Sequence, residues 1–209
     1  MHKQLTIPVV LAMALLALVL PTTAWAADVF KLKGQSADAV FSSVDASGCI
    51  FTNVFVFASD DAIHNPPGAG NSSSVAILYI SRYDSCSGTQ LLGASGFATL
   101  ADADFQVQNK LDAATLTATV NVFDFVSNAS FNVAVNLTWT ATGPTSRQNS
   151  HFHFQSPGCT VNGQSNSTFR PASASGSVSD GATNFIAAPA NGAELSSVKN
   201  GNLTVGCGV

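Results

Sequence analysis

Two histidines two residues apart, His151 and His153 in the run Ser150-His-Phe-His-Phe-Gln155, come nearest to a reactive site by type and spacing. On an extended strand, residues i and i+2 project from one face about 6.6 Å apart. Two imidazoles so placed can converge on Zn²⁺ or Cu²⁺, whose nitrogen ligands lie about 2.0 Å from the metal. A third ligand has to come from elsewhere, and His64, the Asp residues and Glu194 are the choices. The plainer reading makes Phe152 and Phe154 the core face of the strand and the two His, with Asn149 and Gln155, its polar face. That reading needs no cofactor.

The carboxylates are sparse. Asp102-Ala-Asp104 and Asp60-Asp61 are short pairs that could serve Ca²⁺, which takes six to eight oxygen ligands, but neither sits in an Asp-rich loop with the glycine such sites use. They read as a strand entry and a solvated hairpin loop. Glu194 is the single Glu and sits in a Pro/Asn/Gly context, a poor start for two-carboxylate glycoside chemistry. Gly93-Ala-Ser-Gly-Phe97 lacks the final Gly of a nucleophile elbow. Sugar binding calls for exposed aromatic planes with polar partners. Trp139 falls on an apolar strand face, Phe carries no hydrogen-bonding group, and the pair Tyr79 and Tyr83 reads as interior or interface tyrosine.

These residues are carried by strands. Phe131 to Ala141 alternates strictly, with Phe131, Val133, Val135, Leu137 and Trp139 on one face and Asn132, Asn136, Thr138 and Thr140 on the other. Leu116 to Val122 alternates likewise, and a helix produces no such period. Matching the two apolar faces in a hairpin sets Leu116 opposite Trp139 or Ala141. Cys49 to Ala58 is apolar at nearly every position and predicts a central strand covered on both faces. Its partner is Val75 to Tyr83, across a breaker-rich loop centred near Pro67. Folding about that point sets Cys49 opposite Cys86, close enough to bridge, and leaves Cys159 to pair with Cys207.

Further strands are expected at 38–44, 90–100, 105–110, 150–155, 168–170, 174–178 and 184–187. Lys199-Asn-Gly-Asn202 predicts a two-residue turn joining 195–198 to 203–207. Ala94-Ser-Gly and Ala174-Ser-Gly, each with Phe eleven residues after the Ala, read as a chance echo. Short strands separated by Gly, Pro, Asn and Ser predict an all-β fold, an antiparallel β-sandwich of jelly-roll or Ig-like type, with a closed β-barrel as the alternative.

Composition sets the outer limits. Only 10% of the 209 residues are charged, against 46% hydrophobic, and the formal net charge is −4. That balance excludes a nucleic-acid binder, a coiled coil and a charge-driven disordered tail. Residues 1–26 have the form of a secretory leader: Lys3, an apolar run from Leu5 to Leu20, and Ala24-Trp-Ala26, predicting a mature start at Ala27. Its short length has a bacterial look. No second apolar run of spanning length follows, so 27–209 is expected to be one exported all-β domain, and export makes disulfides of the four Cys. The expected role is a secreted or surface-associated module without catalysis, binding an extracellular ligand or serving as a structural part of an assembly. The alternative is a metal-binding protein or metal-dependent enzyme at His151 and His153.

Overall fold

The computed structural model describes the backbone of residues 28–65 and 69–207, and the side chains within it except those of 28–29, 61–73 and 207. The leader expected at 1–26 lies outside the described residues. Ten strands follow in order: β1 (Asp28–Val44), β2 (Ile50–Asn65), β3 (Ala69–Asp84), β4 (Thr89–Leu100), β5 (Phe105–Val107), β6 (Ala113–Asp124), β7 (Ala129–Ala141), β8 (Ser146–Ser156), β9 (Cys159–Ser179) and β10 (Gly192–Cys207). The fold is all-β and antiparallel throughout, and among the described residues no helix is long and apolar enough to cross a membrane.

The ladders run β10-β1-β2-β3-β4-β6-β7-β9, and β9 pairs back onto β10. Every strand of this ring therefore has two neighbours, the β4–β6 junction being short and confined to Ala94–Gly96. β8 follows β7 along the same edge of β9, opposite β10, and β5 adds to β6. The interior is filled from all sides by residues of one parity per strand: Ala37, Ala39 and Phe41; Val54, Val56 and Ala58; Leu78 and Ile80; Leu116, Val120 and Val122; Val133, Val135, Leu137 and Trp139. The alternation of β7 is the one expected, with Asn132, Asn136, Thr138 and Thr140 exposed.

Its partner register differs by one two-residue step. Leu116 faces Leu137, because Asp124 already pairs with Ala129. Asp124 makes that tight turn possible: its carboxylate accepts from the N–H groups of Gly93 (3.0 Å), Val126 (3.0 Å) and Ser127 (3.1 Å) and from the Ser127 hydroxyl (2.5 Å). Burial pushes its pKa up, but these donors outweigh burial and carry it to about 2. Its contribution is thus complete above the ordinary carboxylate range and is lost as the pH falls toward about 2. Asp124→Ala is expected to lower the unfolding free energy by about 1.5–3 kcal/mol at neutral pH, read from the denaturation midpoint.

Three strand expectations are corrected. Residues 195–207 are no hairpin: β10 runs straight through Asn200-Gly201, because β1 on one side and β9 on the other satisfy its backbone, with a register shift near Lys199. The segments 168–170 and 174–178 are one long strand, β9. Residues 184–187 form only an isolated bridge, Asn184 to Ser179, although Phe185 and Ile186 are buried.

The echo of Ala-Ser-Gly has a structural counterpart. Gly96 on β4 and Gly176 on β9 flank the β6–β7 hairpin on its two sides. A Cβ at Gly96 would lie 2.1 Å from the Asn121 carbonyl oxygen, and one at Gly176, where φ is +142°, 2.0 Å from that of Asn136. Both glycines let a neighbouring backbone approach where a side chain would block it.

Candidate functional site

The end of the sheet nearest the β1–β2, β3–β4 and β6–β7 turns is pinned by carboxylates and a disulfide. Asp45 accepts from the N–H groups of Ile50 (3.0 Å) and Cys49 (3.1 Å) and from the Ser47 hydroxyl (2.8 Å), and these bonds hold its pKa below the usual range. Asp84 does the same for Ser87 (3.2 Å) and Cys86 (2.9 Å), and its pKa is likewise lowered, chiefly by Ser87. Cys49 and Cys86 are bonded, with Cα atoms 5.3 Å apart. The hairpin register is one residue off the expected one: Ile50 faces Asp84, and Ser85 N–H donates to the Cys49 carbonyl (2.9 Å), so the bridge lies just beyond the last ladder pair. At the other end of the sheet Cys159 is disulfide-bonded, and its register partner is Cys207.

His151 and His153 sit on β8, opposite Gln164 and Asn162 of β9, and both are exposed. His153 Nδ1 lies 2.5 Å from the Asn162 amide oxygen. Phe152 and Phe154 are not core residues, which corrects that expectation. Among the described residues β8 pairs with β9 alone, and Phe154 is 59% exposed, while Phe152 lies against Gly163. The backbone of His64 falls in the same cross-strand row as His151, through Lys31, Asn202 and Gln164. That is four strand spacings, about 19 Å along the sheet. The His64 side chain lies outside the described residues. Among the described residues, the His, Cys, Asp and Glu groups close enough to share an ion are Cys49, Asp84 and Cys86, whose two sulfurs are bonded to each other. Asp104 accepts from Ala101 N–H (2.9 Å) and closes a turn, as a strand-entry residue should.

A carboxylate pair emerges that sequence reasoning misses. Glu194 stands on β10, not in a loop, directly opposite Asp38 of β1. Their row continues to Phe57 on one side and Pro171 on the other. No cation faces them: among the described residues the one ion pair is Arg170 with Asp112, in which Arg170 also holds the Gly143 carbonyl (2.9 Å). Burial, and then the neighbouring charge of Glu194, push Asp38 up to about 7, and burial raises Glu194 as well. Asp38 therefore titrates near neutrality.

The largest departure from expectation lies on the outer surface. β2 is covered on its inner face only. Its outer residues Phe51, Phe55 and Phe57 are open or half-buried, and across the ladders they meet Tyr83, Tyr79 and Ile77 of β3. Tyr79 and Tyr83 are 45% and 41% exposed, so they are surface residues, not interior ones. Phe97 on β4, opposite Ile77, is 74% exposed, and Phe123 beside Ser95 stacks edge-on against Phe125 at 5.2 Å. Between the Phe51–Tyr83 row and the Phe55–Tyr79 row runs a polar one, Ser42, Asn53 and Ser81, in which Ser42 Oγ donates to Asn53 Oδ1 (2.7 Å). The outer faces of β6 and β7, by contrast, show Thr115, Thr117, Thr119, Asn132, Asn136 and Thr138. One half of the surface is neutral and polar, and the other is aromatic over four strands. A contiguous exposed apolar patch of this kind marks an interaction site. Its sequence signal lies in β2, where Phe at odd positions alternates with Val and Ala at even ones, each set having its own face. No family model, curated protein or solved structure matches the chain.

Proposed function

We propose that the protein is an exported, non-catalytic β-module that works by binding, and that its contact surface is the outer face of β1 to β4, aromatic on β2, β3 and β4. The exposed aromatic face is the observation that carries the reading, because a closed interior core already accounts for the fold and leaves these residues with no structural task. The leader-like residues 1–26 and the Cys49–Cys86 disulfide support an oxidising, extracytoplasmic location. Sparse charge supports the same role, since the outer rows from Val40–Phe55–Tyr79 to Val44–Phe51–Tyr83 can approach an uncharged partner without desolvating ions, while Asp38 and Glu194 lie at the β1–β10 margin of the face.

The test compares retention of the protein on isolated cell-envelope and extracellular-matrix fractions of the producing organism. Phe97→Asp places a charge on the β4 side of the face, beside Ile77, at a position exposed enough to leave folding intact, and it is expected to reduce retention at least tenfold. His151→Ala with His153→Ala should leave retention unchanged. Full retention by Phe97→Asp overturns the reading. Loss in the double His variant, together with stoichiometric Zn²⁺ or Cu²⁺ in the wild type, would transfer the function to the His pair.

A further inference from the structure

Resting on that reading of the face, we infer that its occupant is an uncharged polysaccharide, with sugar rings stacked on Tyr79, Tyr83 and the phenylalanines opposite them and hydroxyls held by the Ser42–Asn53–Ser81 stripe. Spacing is the first support. Tyr79 and Tyr83 point the same way on β3, four residues and so about 13 Å apart, each with a Phe directly across the ladder: Phe55 beside Tyr79 and Phe51 beside Tyr83. Two aromatic platforms are thus set apart along the outer surface, which suits a repeating ligand better than a single small molecule in a pocket.

The stripe between the platforms decides the chemistry of the occupant. Asn53 is exposed, and its carbonyl oxygen already accepts from Ser42 Oγ, which leaves the amide group to donate outward. Ser81 stands on the other side of Asn53 in the same row. A second protein copy laid across this face would bury the stripe at the centre of a dry interface, where the outward Asn53 amide, left without a partner, is costly and serine is depleted; Ser81 Oγ itself already accepts from Gln90 Nε2 (3.0 Å). A lipid surface would meet the same stripe, and at the turn end of the face it would meet Asp45 and Asp84 where anionic headgroups call for basic residues. A sugar chain offers both things the face presents: apolar C–H surfaces for the rings and hydroxyls for the stripe. The outward rows between Val40 and Val44 on β1 and their partners on β2 and β3 carry no charged side chain, so charge matching selects a neutral polymer over an acidic one. Phe brings no polar group of its own, and here the donors come from the intervening row, two strand residues away.

The experiment uses the exported protein with its disulfides intact. Depletion binding is measured on insoluble cellulose and chitin, and affinity electrophoresis in soluble xylan, β-glucan and, as the acidic control, polygalacturonate. The expected result is retention by at least one neutral polymer and not by polygalacturonate. Tyr79→Ala and Asn53→Ala are each expected to weaken that binding at least tenfold, with thermal transitions that show both variants folded. Asn53→Ala is the discriminating variant, because a purely apolar occupant would not register its loss. Retention by none of the neutral polymers overturns the inference, as does equal retention by polygalacturonate. If polymer binding is absent while the wild type dimerises with concentration and Tyr79→Ala does not, the polysaccharide falls and the docking face stands. If Phe97→Asp also leaves envelope retention unchanged, both fall.

Discussion

Trp139→Ala is expected to lower the unfolding free energy by about 3–5 kcal/mol, the usual cost of emptying an indole from a packed interior. Trp139 is fully buried on β7, and its Nε1–H donates to the Asp38 carbonyl on β1 at 2.8 Å, joining residues 101 apart in sequence across the interior. Alanine would leave a cavity lined from several strands of a closed ring, which cannot collapse without breaking ladders, so relaxation recovers little of the loss. A domain stable by about 5–15 kcal/mol would give up a large part of its margin. The measurement is the urea midpoint at unchanged slope. Trp139→Phe should retain most of the packing and cost less, and equal costs for the two variants would show that the hydrogen bond, not the ring volume, is what matters.

Raising the pH from about 5 to about 8 is expected to destabilise the protein by about 2.5 kcal/mol, through Asp38. Its folded pKa lies at about 7 against 3.8 in the absence of the fold, so the folded state holds a proton that the unfolded chain releases. Below the unfolded pKa both states are protonated and the group is neutral in its effect. Between the two values folding must retain the proton, and above about 7 it must bury a charge with Glu194 opposite and no cation to answer it. The penalty therefore grows as the pH climbs through this window and is complete above it. Asp38→Asn should remove the slope and raise the melting temperature at pH about 8, leaving it nearly unchanged at about 4. A melting temperature that stays flat between pH 5 and 8 in the wild type would show that Asp38 ionises freely. The effect runs opposite to that of Asp124, whose depressed pKa makes it a loss only in strong acid.

Several features are legible in the sequence because they depend on local rules. Period two in β7 declares which residues share a face, and those residues are the buried ones. The odd parity of the β6–β7 register follows from matching two such faces, while its value does not, since the Asp124 turn sets it. A loop centre and a strand length are enough to pair Cys49 with Cys86, and a one-residue slip in register still leaves them within bridging distance. Lys199 to Asn202 shows the limit of such rules. Asn-Gly favours a turn locally, yet two flanking strands offer a ladder bond for nearly every backbone group of β10, and the non-local pairing wins.

The candidate face is the least legible feature. In β2 both parities are apolar, so the sequence says that two apolar faces exist without saying what covers either. The natural inference, a strand buried on both sides, fails because the ring closes with one layer inside and none among the described residues outside. Asp38 and Glu194 likewise stand far apart in the chain and become a pair only when β10 returns to close the ring on β1. By itself, the sequence determined strand class, face parity, the Cys49–Cys86 pairing and the scarcity of charge, all of which rest on neighbours along the chain or across one hairpin. Only the tertiary structure decided which apolar face turns inward. That choice depends on which distant strands meet and how the sheet curves to bring them together, and no local pattern encodes it.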